Sequence, residues 1–100
     1  MATAKGIIAK IEKYGEEIRL RGVKHLALFG SYASGQATAT SDVDFLVEFK
    51  PGRGGYDDYV GLLELLRKVT GKKVDLVKHN LVREELRPSI LGGVKVEASI

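Results

Sequence analysis

Apolar side chains recur at Ile7, Ile8, Ile11, Tyr14 and Ile18, three and four positions apart, which predicts one amphipathic helix over residues 6–20. Gly22 follows the last of them, where a glycine commonly ends a helix, and residues 24–29 then read as a short buried strand closed by Gly30. From residue 42 to 49 the pattern changes to strict alternation, with Val43, Phe45, Val47 and Phe49 on one face and Asp42, Asp44, Leu46 and Glu48 on the other. A period of two predicts a strand. The Pro51-Gly-Arg-Gly-Gly55 cluster is a turn or loop. Tyr59, Leu62, Leu63, Leu65 and Leu66 then mark a second amphipathic helix over residues 56–70, with Gly71 as its stop, and residues 73–78 predict a third strand. Residues 80–91 read as helical, with Asn80 as N-cap and Pro88 bending or dividing the segment, and residues 94–96 as a short edge strand.

A strand, a crossover helix and another strand form a βαβ unit, so the strands at 43–49 and 73–78 are expected to be parallel neighbours. The fold class that follows is α/β (α+β), a small mixed sheet of three or more strands flanked by helices. At 100 residues, with 44% hydrophobic and 29% charged, the chain has the make-up of one globular domain spanning 1–100 and holds one core. No apolar run approaches the ~20 residues of a membrane-spanning helix. The opening Met-Ala-Thr-Ala-Lys-Gly lacks the apolar stretch of a secretory signal, so a cytoplasmic location is expected. The absence of cysteine removes disulfides, thiolate metal sites and cysteine nucleophiles, leaving metal chemistry to carboxylates and two histidines. The net charge of +3 is spread along the chain and does not by itself indicate nucleic-acid binding.

The chemistry concentrates between residues 28 and 47. Gly30 and Gly35 allow backbone to approach a ligand, and a short helix beginning at Ser31 would present free N–H groups and a hydroxyl to an anion such as the phosphates of a nucleotide. Asp42 and Asp44, two apart on a strand, project from one face about 7 Å apart. Hard oxygen ligands of this kind suit Mg²⁺ or Mn²⁺ held jointly by protein carboxylates and substrate phosphates. Asp75 sits between apolar residues in a strand suited to burial, where an unpaired charge is costly and a metal would offset it. If the two strands are parallel neighbours, Asp75 joins Asp42 and Asp44. One metal held by all three acids would then lower the pKa of an attacking hydroxyl, and a second, held by Asp42 and Asp44, would bind the triphosphate and stabilise departing pyrophosphate. Asp75 is the candidate base, either accepting the proton or completing the nucleophile's metal.

Each feature has a plainer reading. Paired acids at a strand mouth are often solvated, Gly-Ser is a common turn, and Lys73 on the same strand face offers Asp75 a counter-charge. The three features together favour the metal site. A calcium loop is excluded, since positions five, six and twelve counted from Asp42 are Leu46, Val47 and Arg53. His25 and His79 show no ligand spacing. Tyr32 reads as packing rather than base stacking, and Lys72, Lys73 and Lys78 as a solvated strand edge.

The pattern Gly30-Ser31, Asp42-Val43-Asp44 and a later Asp75 resembles the DNA polymerase beta nucleotidyltransferase superfamily. Gly30-Ser-Tyr-Ala-Ser-Gly35 followed by Ser41-Asp-Val-Asp44 is similar to its minimal prokaryotic members. The resemblance implies a compact nucleotidyltransferase fold, with Gly30 and Ser31 binding the nucleotide and Asp42, Asp44 and Asp75 as catalytic metal ligands for Mg²⁺ or Mn²⁺. It implies transfer of a nucleoside monophosphate, AMP from ATP, to a hydroxyl on a protein, and the role of antitoxin to a small helical HEPN-type partner. A chain of this length has no domain to enclose a drug, a tRNA or a primer-template, so a partner is expected to complete the site. Many relatives carry arginine where this chain has Ser34, which leaves phosphate binding to other basic residues such as Arg53, Lys72, Lys73 or Lys78. The alternatives are a binding module that neutralises its partner by occlusion, and a catalytic subunit of a larger transferase. Self-association stays open.

Overall fold

The computed structural model describes residues 3–79 and 95–100. The chain runs α1 (Ala4–Lys13), α2 (Gly15–Leu20), β1 (Val23–Phe29), α3 (Gly30–Ser34), β2 (Val43–Phe49), α4 (Tyr56–Thr70), β3 (Val74–Lys78) and β4 (Val96–Glu97). The helix expected at 80–91 and residue 94 of the expected edge strand lie outside the described residues. Among the described residues, no helix is long and apolar enough to cross a membrane.

The strands form one mixed sheet in the order β3-β2-β1-β4. β1 is antiparallel to β2 and to β4, whereas β2 and β3 are parallel, as the crossover through α4 demands. The alternation seen in the sequence sorts the two faces. Val43, Phe45 and Val47 join Leu26, Leu28, Val74 and Leu76 in a core closed by Ile7, Ile8, Ile11 and Ile18 of the first helices and by Leu62 and Leu66 of α4. Burying large aliphatic side chains contributes roughly 1.5–3 kcal/mol each relative to exposure, and this face supplies most of them. Asp44, Leu46 and Glu48 look the other way, beside Phe29, Ala27 and His25 of β1.

Local chemistry sets the helix ends. The Thr3 hydroxyl caps α1 by accepting the Gly6 N–H at 3.1 Å. α4 has Asp57 and Asp58 in its first turn, Arg67 and Lys68 in its last, and a left-handed Gly71 (φ 67°) beyond its end. The Tyr59 hydroxyl donates to the Leu76 carbonyl at 2.5 Å and ties α4 to β3.

The single helix expected over residues 6–20 is two helices, interrupted at Tyr14. Periodicity had placed Tyr14 on the buried face, but it is 40% exposed. Gly15 takes the inward position, against Ile100, and the break re-aims the chain so that Ile18 still reaches the core.

Candidate active site

β1 delivers the chain to the site. Its last residue, Phe29, pairs across the sheet with Asp44 of β2, so the turn that follows lies directly beside that carboxylate. Gly30 has φ 71°, in the left-handed region that disfavours side chains, and opens α3 one residue earlier than the pattern suggests. A Cβ at Gly30 would overlap the Asp44 carboxylate, with the carboxyl carbon 3.1 Å away and the Asp44 Cβ 3.3 Å away. Backbone conformation and space both require glycine here. Gly35 differs from the expectation of a close ligand approach: a Cβ there meets nothing within 4 Å, and the residue serves as the left-handed C-cap of α3, φ 80°. Ser31 sits in the first turn of α3, and its carbonyl accepts the Gln36 N–H at 2.8 Å and the Ser34 hydroxyl at 3.2 Å.

The loop into β2 is closed by reciprocal bonds. The Thr38 N–H donates to the Ser41 hydroxyl at 2.8 Å, and the Ser41 N–H donates to the Thr38 carbonyl at 3.1 Å. This small ring presents Asp42, which stands exposed just ahead of the strand. The Val43 N–H then donates to the Lys73 carbonyl at 2.9 Å, starting the parallel ladder in which Asp44 is the partner of Asp75. Partners in neighbouring strands are about 4.8 Å apart and project to the same side. Asp75 is exposed, which corrects the expectation of burial: β3 is the last strand of the sheet among those described, and only Val74 and Leu76 of its alternating set reach the core.

Electrostatics bear out the crowding. Burial raises the pKa of Asp44 above the ordinary carboxylate value, and the neighbouring charges of Asp75 and then Asp42 raise it further. Among the described residues, no ion pair or hydrogen bond relieves these three carboxylates. Nor are three acid or histidine side chains there drawn together into a finished metal-ligand set. The donors are all carboxylate oxygens, one of them partly desolvated and pressed against a glycine, and this set fits a hard divalent cation shared with substrate oxygens.

The basic residues divide into two groups. Arg53 and Lys78 lie at the far end of β2, beside a recess of about 290 Å³ that contains none of the three acids. Both are engaged there: Arg53 forms two bonds of 2.9 Å to the Asp58 carboxylate, and the Lys78 ammonium donates to the Gly54 carbonyl at 2.6 Å. Arg67, Lys72 and Lys73 instead line an open groove of about 760 Å³ together with Asp42 and Asp75. Tyr32 is 5% exposed and packs into the core, as its plainer reading held.

The sequence model of the nucleotidyltransferase domain matches residues 8–99. The chain belongs to the nucleotidyltransferase domain family. A Methanocaldococcus jannaschii relative named as a candidate protein adenylyltransferase, MJ1379, is 48% identical over 56 residues, 55% of this chain, and the match spans 56% of that relative's length. Protein adenylyltransferase MntA of Thermococcus cleftensis is 33% identical over 92 residues, covering 91% of this chain and 92% of the relative. A solved candidate minimal nucleotidyltransferase superposes over 93% of this chain and 94% of its own with TM-score 0.78 and 29% identity. A toxin–antitoxin crystal structure with AMP-PNP shares the fold over 75% of this chain and 62% of its own, with TM-score 0.59 and 24% identity.

In this nucleotidyltransferase the Gly-Ser turn and the first strand acid are neighbours because β1 and β2 are antiparallel, and Asp75 is the register partner of Asp44 because β2 and β3 are parallel. Arg67 is the groove residue that sequence reasoning missed. Its place in the last turn of α4, just before the strand of Asp75, was the available signal: a βαβ connection returns that turn to the start of β3.

Proposed function

We propose that this nucleotidyltransferase moves AMP from ATP onto a hydroxyl of a protein partner, with Mg²⁺ or Mn²⁺ bound by Asp42, Asp44 and Asp75, and that the partner is a HEPN-type toxin modified on tyrosine. The observation that carries the reading is the Asp44 carboxylate seated against Gly30, in register with Asp75 and coupled to Asp42. The relatives' names support protein adenylylation, and the fold shared with a chain of a toxin–antitoxin structure is consistent with a toxin as partner.

Gly30 and Ser31 carry the nucleotide end of the site. Gly30, bare of a side chain, makes room for the Asp44 carboxylate beside the turn, and the Ser31 hydroxyl supplies a hydrogen-bond donor. The bound divalent cation would neutralise the carboxylates and the phosphates and lower the pKa of the acceptor hydroxyl. Asp75, exposed at the groove, would orient that hydroxyl and either accept its proton or complete the metal that activates it. The acceptor oxygen bonds to the α-phosphorus, the bond from that phosphorus to the bridging oxygen of the β-phosphate breaks, and pyrophosphate leaves. A groove open to solvent suits an acceptor delivered by a second macromolecule.

The test is incubation with α-labelled ATP, Mg²⁺ and a lysate of the source organism, beside the Asp42→Asn/Asp44→Asn variant. A labelled protein that appears with the wild type alone, carrying AMP on a tyrosine, is expected. If no macromolecule is labelled although MgATP binds, neutralisation by occlusion, which the double substitution would leave intact, becomes the better account.

A further inference from the structure

The stretch from Gly30 to Ser41 contains no lysine or arginine, and the three carboxylates beside it have no ion-pair partner among the described residues. A nucleoside triphosphate brings several more negative charges to the same place. Coulomb repulsion between unit charges 4 Å apart is ~4 kcal/mol at the effective dielectric of a protein surface, and a divalent ion at the acids would offset only part of the charge of a triphosphate, so cations from another part of the fold would add to its binding.

Among the described residues, the groove at the start of β3 gathers three of them beside Asp42 and Asp75: Arg67, Lys72 and Lys73, none in an ion pair there. Lys72 differs from the other two in its reach. Its ammonium lies 5.9 Å from the centroid of the Tyr32 ring, and Tyr32 is the residue after Ser31 on α3. The buried ring gives the lysine stem a fixed surface, while no carboxylate among the described residues holds the ammonium. The backbone of Lys72 is also set. Gly71 turns in the left-handed region, the Lys72 N–H donates to the Thr70 hydroxyl oxygen at 3.3 Å, and that hydroxyl donates to the Leu66 carbonyl at 2.8 Å. The end of α4 therefore aims one unpaired cation at the helix that carries the Gly-Ser turn.

We propose that Lys72 binds the β- and γ-phosphates of the nucleoside triphosphate, with Arg67 and Lys73 as the outer cations of the same groove. This rests on the nucleotidyl-transfer reading and adds to it the residue that distinguishes ATP from nucleotides with fewer phosphates. Lys72 is a binding residue in this account and takes no proton from the acceptor.

The test compares dissociation constants for MgATP, ADP and AMP, by calorimetry or by competition against a fluorescent nucleotide, for the wild type, Lys72→Met and Lys72→Arg. Methionine keeps an unbranched apolar stem over Tyr32 and removes the charge. The expected result is about a tenfold loss of ATP affinity in Lys72→Met, a smaller loss for ADP and almost none for AMP, with Lys72→Arg near the wild type. Equal losses for all three nucleotides, or unchanged ATP affinity, overturn the assignment and leave Lys72 to packing or to contact with an acidic partner. A wild-type protein that binds none of the three overturns the nucleotidyl-transfer reading as well, so the two failures are distinguishable.

Discussion

Replacing Gly30 with alanine probes the closest contact of the site. Two costs add. The first is backbone: an L-residue held at φ 71° loses ~1–2 kcal/mol relative to glycine. The second is space, because the new methyl falls on the Asp44 carboxylate and forces that side chain or strand β2 to move, an overpacking cost of ~1–3 kcal/mol. The sum is about 2–5 kcal/mol, a large share of the ~5–15 kcal/mol that holds a small domain folded, and corresponds to a fall in Tm of roughly 8–40 °C. Gly35→Ala is the internal control, since it has φ 80° and an empty neighbourhood and carries the backbone cost alone. Thermal and urea unfolding followed by circular dichroism measure both variants. Adding Asp44→Ala should recover the steric share, so the double-mutant cycle over positions 30 and 44 is expected to show a coupling of about 1–3 kcal/mol that separates the contact from the backbone strain. If Gly30→Ala costs no more than Gly35→Ala, or if the cycle couples by less than about 0.5 kcal/mol, Gly30 and Asp44 do not touch in solution and the site described above is wrong.

Two further predictions concern charge, beside the transfer and nucleotide-binding tests given above. The folded state raises the pKa of Asp44, so the folded protein keeps a proton that the unfolded chain releases, and stability falls as pH rises through the carboxylate range. Asp44→Asn is therefore expected to unfold at a higher temperature than the metal-free wild type at pH 7, while millimolar Mn²⁺ stabilises the wild type and not the variant; a lower Tm for the variant counts against the repulsion. Asp58 shows the opposite sign: the Arg53 guanidinium and the Gly54 N–H hold its carboxyl down to about 2 from 3.8. The stability it adds is fully present above pH ~4 and is lost as pH falls through about 2, so the urea midpoints of wild type and Asp58→Asn should converge across that window and differ by a constant amount above it. A gap that persists at the acid end places the effect of the substitution elsewhere.

The two clusters of basic residues show why composition alone says little about ligand binding. Arg53 and Lys78 are as basic as Lys72, yet one is spent joining the Pro51-Gly52 loop to Asp58 and the Leu20 carbonyl, and the other on the Gly54 carbonyl between two aromatic rings. Charge that is already bonded is poorly placed to help an incoming polyphosphate. Cations left without partners beside the carboxylates are the ones available.

The strands at residues 43–49 and 74–78 and the helix at 56–70 were determined by the sequence itself, because alternation and the 3.6-residue period are local consequences of which side chains must leave water. The Gly30-Ser31 turn and the acids at 42, 44 and 75 were also legible there, because short spacings on known elements limit where a side chain can point. Other features were decided by tertiary structure. Tyr14 has a helical period that continues through it, yet the helix breaks there, with Gly15 against Ile100 in the inward position and the ring half out. Asp75 lies between apolar residues in the sequence and is nonetheless exposed, because burial depends on a strand's position in the sheet as well as on its neighbours in the chain. The meeting of Asp44 with Gly30 depends on the β1–β2 register, and the approach of Lys72 to Tyr32 depends on where α4 returns the chain. Both join residues far apart in sequence, and their geometry exists only once the sheet and its crossover have packed around a common core.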